Sequence, residues 1–561
     1  MTSVKHRKYT SRTRSGCRTC KIRRVKCDEQ RPSCVKCIGS GRVCNGYGIW
    51  DRPAEVLSKP RLQTTSVFYP PQSFPGLDQQ EKRHLHRFRY FVAGRLAEPF
   101  GSHFWSSLVL QISLSEPAVV HASIALSSAY DLFLPDIGYN TSSPVSNISF
   151  LLRQYNRAIR ALTSKINLND SASLRTAAVS SILFICLEIL RGDSNAMYAH
   201  FGSGVKLLSQ LQNRRGGSPA SSELVLVEDD PQIYDDHLVT VFSQLNLQFL
   251  MLGNSSQLRE TFITPFYYSR RVHIPPQFRN VVEARRSFTS ILLAVTYLCK
   301  EFERAILTSN SQIPEPCITE IEKQQALEAA MTEWVASYER SITSFLASAS
   351  HGEAISLTML RIYARTCTII IGTCLTIKET AYDPYLCEFE SILKQYRDSL
   401  SPGACKLDPC FTIDMGLFPP LYFTAIKCRN HSVRKQALSL LEQYPTMEGP
   451  WTGPMLARVG GYVVDLEEKH FLKALQSPPV APVSIPTTSA DAVQLHNSVA
   501  APGVVLPEFC RIHCVECKLP SRYSNAPNAA LLKLSRFKHE LGKSGGWCVI
   551  NAKVGLSGVQ R

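Results

Sequence analysis

The residues best equipped for chemistry stand near the start of the chain: Cys17, Cys20, Cys27, Cys34, Cys37 and Cys44. They read C-x2-C-x6-C, six intervening residues, then C-x2-C-x6-C, so the second half repeats the first at identical spacing. Cysteines two residues apart suit one tetrahedral metal, because a tight turn aims both thiolates at a single point. Six thiolates cannot fill two separate four-ligand sites, but they serve two zinc ions when two of the sulfurs bridge. A catalytic zinc keeps a coordination position open to water, usually among His and carboxylate ligands. No histidine lies between Cys17 and Cys44, and the pattern fills every position with thiolate. The expected site is closed and structural.

Between Cys20 and Cys27 stand Lys21, Arg23, Arg24 and Lys26, four cations on a turn held from both ends by metal ligands. The second half offers only Arg42 between Cys37 and Cys44. The halves should therefore divide the labour, the first facing a polyanion and the second completing the fold. Arg pairs bidentately with guanine O6 and N7 in the major groove, whereas Lys and backbone amides more often hold phosphates. The run from Cys17 to Asp28, CRTCKIRRVKCD, followed by Arg31-Pro32-Ser33-Cys34, resembles the fungal binuclear zinc-cluster transcription regulators. That resemblance implies two short helices, each opening at a Cys-x-x-Cys pair, packed around two structural zinc ions. It implies that Cys17 and Cys34 bridge the metals, with Cys20 and Cys27 completing one zinc and Cys37 and Cys44 the other. Pro32 matches the family's proline between the halves. Arg24 falls where the family places its principal base-reading cation, on CGG-like triplets of double-stranded DNA.

The elements that must carry this cluster are less marked. A chain of 561 residues is long enough for two to four domains, and 44% hydrophobic composition supports a large core. The formal charge of +16 is uneven: residues 1–50 hold 13 Lys+Arg against 2 Asp+Glu, so the rest is nearly neutral. A cationic terminus on a neutral body points to a polyanion-binding module beside an ordinary globular domain. The N-terminus lacks an apolar export segment, and the apolar runs near 176–190 and 364–377 fall short of a bilayer span. Nineteen cysteines, thirteen of them scattered outside the cluster, fit a reducing compartment. The sequons at Asn140 and Asn147 are then chance matches, and a nuclear import signal within residues 5–26 is expected.

Read in order, residues 1–16 form a basic disordered arm, 17–44 the zinc-cluster DNA-binding domain and 45–77 a Pro-rich linker. Prolines at 53, 60, 70, 71 and 75 rule out a heptad coiled coil directly after the cluster. Residues 78–475 read as one all-helical regulatory domain, making the fold class all-α. Asp78 and Glu81 suggest a capping box, Glu116-Pro117 a helix start, and Ile148, Leu152, Tyr155, Ile159, Leu162 and Ile166 an apolar stripe. Further helices are expected near 172–190, 195–212, 237–252, 284–306, 320–348, 353–378, 386–399, 430–443 and 455–474. Glu116–Ala122, Tyr155–Ile159 and Leu187–Gly192 are similar to recurrent segments of the same family's helical domain, which implies regulation rather than chemistry. The acidic, Lys- and Arg-free stretch 216–258 is expected to be a solvated loop leading into a core helix.

Residues 476–508 read as a Pro/Ala/Ser/Thr-rich linker, and 509–561 as a C-terminal segment. There Cys510, His513, Cys514 and Cys517 could surround a metal, but four ligands within eight residues rarely close a tetrahedron, so a reduced cysteine cluster is preferred. Gly542-Lys543-Ser544 fails as a phosphate loop because Phe537 stands where Gly is needed. No catalytic constellation is found, so an enzyme is not expected. The sequence describes a nuclear, sequence-specific transcription regulator of RNA polymerase II type. Its expected partners are duplex DNA, the transcription machinery and a second copy joined through the helical domain, with no membrane. The alternative is an effector-sensing or protein-interaction scaffold whose helical domain is the main functional site.

Overall fold

The structure, a computed structural model, describes residues 16–23, 25–30, 34–42, 44, 76–133, 144–165, 170–214, 225–228, 231, 233–252, 266–267, 274–308, 315–400, 410–444, 446–476, 505–519, 529–538 and 546–556. The basic arm, Arg24, Pro32, most of both linkers and the 542–544 triplet lie outside these residues. Two short helices, α1 (Arg18–Arg23) and α2 (Val35–Ile38), form the N-terminal cluster. The body begins at α3 (Gln79–Arg87), and here the expected capping box is present: Asp78 accepts from the Glu81 amide, and Glu81 accepts from the Asp78 amide. The helix runs on through a π turn at Phe88–Val92 to Arg95.

Helices α4 (Pro117–Phe133), α5 (Pro144–Lys165), α6 (Ser171–Arg191) and α7 (Ser194–Arg214) make the first half of the body. Asp170 caps α6 through the Ala172 and Ser173 amides, and Gly192 ends it at φ 74°, a left-handed position that favours glycine. From Thr176 to Leu190 every residue of α6 is buried, because α4, α7 and α8 (Tyr234–Met251) surround it. Helix α6 and residues Gly352–Thr373 are long and apolar enough to cross a membrane by composition, longer than the apolar runs alone suggested. Their apolar windows are 83% and 61% buried within the protein, which accounts for that composition.

One expectation fails in detail. On α5 the inward face carries Phe150, Leu151, Gln154, Tyr155 and Ala158, while Ile148 and Leu152 are exposed. A buried carboxylate explains the rotation. Glu81 is 1% exposed, accepts from Gln154 Nε2 at 2.6 Å and pairs with the exposed Arg157, so Gln154 is drawn to the core side. The acidic stretch also differs from a solvated loop where it is described, since Asp235 and Asp236 open α8 and are buried. Asp235 is held by both Arg175 nitrogens at 2.7 and 3.0 Å.

The second half comprises α9 (Val281–Thr308), α10 (Ile318–Ser348), α11 (His351–Thr373), α12 (Leu386–Gln395), α13 (Phe418–Lys427), α14 (His431–Gln443) and α15 (Gly453–Gln476). Among the described residues strands are few and mostly two residues long. The exception was not foreseen: β1 (Cys514–Lys518), β2 (Ala529–Lys538) and β3 (Gly546–Gly555) form an antiparallel sheet in sequence order. Its inner residues Ala530, Leu532, Leu534 and Val554 join the same apolar core as the helices.

Buried ions fasten this segment further. Glu467, fully buried on α15, accepts from Arg429 at 3.0 Å, Arg434 at 2.6 Å and the Ile512 amide at 2.5 Å. Arg511, also fully buried, spans both carboxylate oxygens of Asp383 at 2.7 Å and donates to the carbonyls of Leu506 and Glu379. Each ion thus meets an opposite charge and added hydrogen bonds, the condition under which buried charge is tolerated.

Candidate metal centre and nucleic-acid interface

The cluster is built by backbone as much as by sulfur. The amides of Cys20 and Cys37 donate to the sulfurs of Cys17 and Cys34 at 3.4 and 3.3 Å. The amides of Cys17 and Cys34 donate to the sulfurs of Cys27 and Cys44 at 3.3 and 3.4 Å. The repeat read in the sequence is therefore a repeat in space, with the same two hydrogen bonds in each half. Five of the six cysteines are buried and Cys44 is half-buried, yet all are free thiols rather than disulfides.

Two sets of four sulfurs emerge, each with all its atoms within 4.8 Å of one another. One is Cys17, Cys20, Cys27 and Cys34; the other is Cys17, Cys34, Cys37 and Cys44. Cys17 and Cys34 belong to both and stand 3.6 Å apart. Zn–S bonds of about 2.3 Å around a tetrahedron put neighbouring sulfurs about 3.8 Å apart. The observed separations of 3.6 Å from Cys17 and from Cys20 to Cys34, and 3.7 Å from Cys17 to Cys37, fit that edge. Burial pushes the Cys34 thiol up to about 12 and raises Cys17 and Cys20 as well. Thiolates so enclosed require dications beside them. The donor set fits two zinc ions, whose contribution when bound is to supply the folding energy of a domain with almost no apolar core.

The cations divide into distinct roles. Arg23 turns inward, donating to Ser40 Oγ at 2.7 Å and toward the Lys36 carbonyl at 3.4 Å, so it clasps the first half to the second. Lys26, Lys36 and Arg42 are exposed. Lys21 lies on α1, its side chain outside the described residues, and Arg24 lies outside them altogether. Sequence reasoning missed Asp28. Its two oxygens accept from the amides of Val35 at 2.8 Å and Lys36 at 3.1 Å, capping α2 from across the loop. Against the desolvation that opposes it, those amides hold its carboxyl below the usual range. An acidic residue directly after the third cysteine was the available signal.

At the other end, Cys510, His513, Cys514 and Cys517 are not drawn together as a ligand set. Among the described residues, the groupings with mutually close donor atoms are the two in the N-terminal cluster. His513 instead bonds Glu508 at 3.0 Å, and Cys510 and Cys517 are buried thiols pushed up to about 11 and 12 by burial.

Residues 15–52 match the fungal Zn(2)-Cys(6) binuclear cluster domain, and the chain carries that domain, which binds two zinc ions structurally. Over longer stretches the chain is similar to fungal transcription regulators. It is 27% identical over 412 residues to the aspercryptin biosynthesis cluster-specific transcription regulator atnN of Emericella nidulans, covering 68% of this chain and 63% of that protein. It is 28% identical over 206 residues to the transcription regulator lscL of Purpureocillium lilacinum, covering 35% of this chain and 48% of that one. It is 34% identical over 152 residues to the Zn(2)-C6 fungal-type transcription factor afumD of Aspergillus fumigatus, covering 24% and 38%. The chain thus spans less than two thirds of these relatives' lengths. No solved structure matches it.

Proposed function

We propose that this protein is a sequence-specific, DNA-binding regulator of transcription that acts in the nucleus. The carrying observation is the pair of four-sulfur sets sharing Cys17 and Cys34. All six cysteines are the proposed zinc ligands, with those two bridging. A closed, all-thiolate site offers no open position for a reacting water, and this supports a role in binding rather than catalysis. Lys21, Arg24 and Lys26 are proposed to meet DNA, Arg24 reading a guanine edge of a CGG-like triplet and the lysines holding phosphates. Arg23 belongs to the same basic run of sequence but acts first as the clasp between halves. The helical domain within 78–475 is proposed to regulate transcription by RNA polymerase II, to contact its machinery and to carry any dimer contact.

The test is binding of the zinc-loaded protein to a panel of duplexes that differ by single bases around a CGG triplet, at several salt concentrations. Preference for the triplet, with log K falling linearly with log salt, is expected. Equal affinity for every duplex at every salt concentration would refute base reading.

A further inference from the structure

Residues 79–95 and 144–165 together hold nine Lys and Arg against one acid, Glu81. Residues 51–561 as a whole hold 49 Lys and Arg against 44 acids, so the rest of that stretch is slightly acidic. The fold brings the two basic stretches together. Leu85 of α3 and Phe150 of α5 share one small apolar group with Val120 and Ile124 of α4. Glu81 of α3 accepts from both Gln154 and Arg157 of α5.

Lys82 and Arg83 of α3 and Arg153, Arg157 and Arg160 of α5 are all exposed. At 3.6 residues per turn, positions 153, 157 and 160 share one face of α5, and the helix rise spreads them over about 10 Å. Arg157 keeps 52% of its side chain exposed while it pairs with Glu81, so the buried acid positions this guanidinium without covering it. The exposed acid nearest in sequence, Asp78, is occupied by the Glu81 amide. Like charges three and four residues apart destabilise a helix, and a polyanion laid across them removes that cost. Duplex DNA carries one negative charge per about 1.7 Å of its axis, so a face of this length meets several phosphates at once.

We propose that this basic face of α3 and α5 is a second duplex-binding surface, which holds phosphates flanking the site that the cysteine cluster reads; it rests on the DNA-binding reading above. Helix α3 is where the chain from the cluster enters the body. The 34 residues from Cys44 to Asp78 reach at most about 120 Å, so both surfaces meet one duplex. Five cations alone hold DNA weakly, but behind a seated cluster they face it at the high effective concentration of a tethered module. The body thereby adds affinity and salt dependence, and the cluster keeps the choice of sequence.

The full-length, zinc-loaded protein is bound to two duplexes at several salt concentrations, one trimmed to the preferred site and one extended on both sides by several helical turns of random sequence. The extended duplex should bind at least about tenfold tighter, with a salt slope steeper by about 3, since each phosphate neutralised adds about 0.9. The fourfold variant K82Q/R83Q/R153Q/R160Q spares the Arg157–Glu81 pair and should melt as the parent does. It should bind both duplexes alike and keep the parent's affinity and base preference on the trimmed one. The pairs K82Q/R83Q and R153Q/R160Q, made separately, should each remove part of the gain. Lys394→Gln with Lys435→Gln, exposed lysines on α12 and α14, should leave the gain unchanged. A parent that gains nothing from the flanks, or variants that keep the whole gain, would overturn the proposal. So would vesicles of phosphatidylcholine and phosphatidylserine that bind the parent more tightly than the extended duplex and lose the variant. Loss of base preference on the trimmed duplex would instead sink the DNA-binding reading itself, whereas equal binding of both duplexes with preference intact would sink the second surface alone.

Discussion

The two ends of this molecule are held together by opposite means. In the N-terminal cluster the buried apolar group consists of cysteines alone. In the body, helices and the C-terminal sheet share one large apolar core threaded by buried ion pairs. The first should owe its fold to its metal, whereas the described residues of the second converge on no metal site outside the cluster. The same chain therefore carries one domain whose stability is set by ligand occupancy and another whose stability is set by burial. They should come apart under different insults.

Chelation gives the largest separation. Structural zinc supplies about 10 kcal/mol or more to domains of this size, so removing it should unfold residues 17–44 and abolish duplex binding. The helical circular dichroism and the melting of the body should stay in place. Metal analysis before chelation should give two zincs per chain; one zinc would sink the shared-sulfur arrangement. The reverse insult is Glu467→Ala, which strands Arg434 in the core and leaves Arg429 with Glu379 as its one carboxylate partner. A loss of about 3–5 kcal/mol in denaturant unfolding of the body is expected, with zinc content unchanged. If zinc were lost together with the body, the two domains would not be independent.

Arg24→Ala probes the surface rather than the scaffold of the cluster. It should cost about 1–3 kcal/mol on the preferred duplex and blur preference at one base, with zinc content intact. A uniform loss across all duplexes would reassign Arg24 to phosphate. The smallest effect is local to the body: Asp170→Ala removes the cap of α6 and should lower its stability by about 1 kcal/mol, leaving duplex binding untouched. A larger effect on DNA than on melting would contradict the division drawn here.

What could be read in advance follows the range of the interactions. The cysteine ligands and the Asp78–Glu81 box were legible because each is set by spacing within one or two turns. Helix α6 was legible because its apolar run is long, broken by few polar residues. The Arg23–Ser40 clasp was not, since nothing near Arg23 in sequence distinguishes it from Arg24 or Lys26. Nor was the inward face of α5, where a glutamate 73 residues away claims Gln154. The C-terminal sheet did carry a signal: Leu532 and Leu534 face the core while Leu531, Lys533 and Ser535 alternate with them on the outer side. Short segments of such alternation are easily lost beside a long helical body.

The anchoring of Ile512 on Glu467 also sets an order of events during synthesis. Glu467 holds Arg429 from the connection between α13 and α14 and Arg434 from α14, but its third donor is an amide 45 residues further along the chain. At about 5–20 residues per second, a ribosome needs roughly 2–9 s to cover that distance. Throughout that interval the zinc cluster, made first, is already free to load metal. The body meanwhile lacks the Ile512 amide on Glu467 and leaves bare the apolar surface that Ala530, Leu532 and Leu534 will cover. The nascent chain thus passes through a stage with a finished cysteine cluster and an unfinished body, and that stage is when chaperones have something to hold.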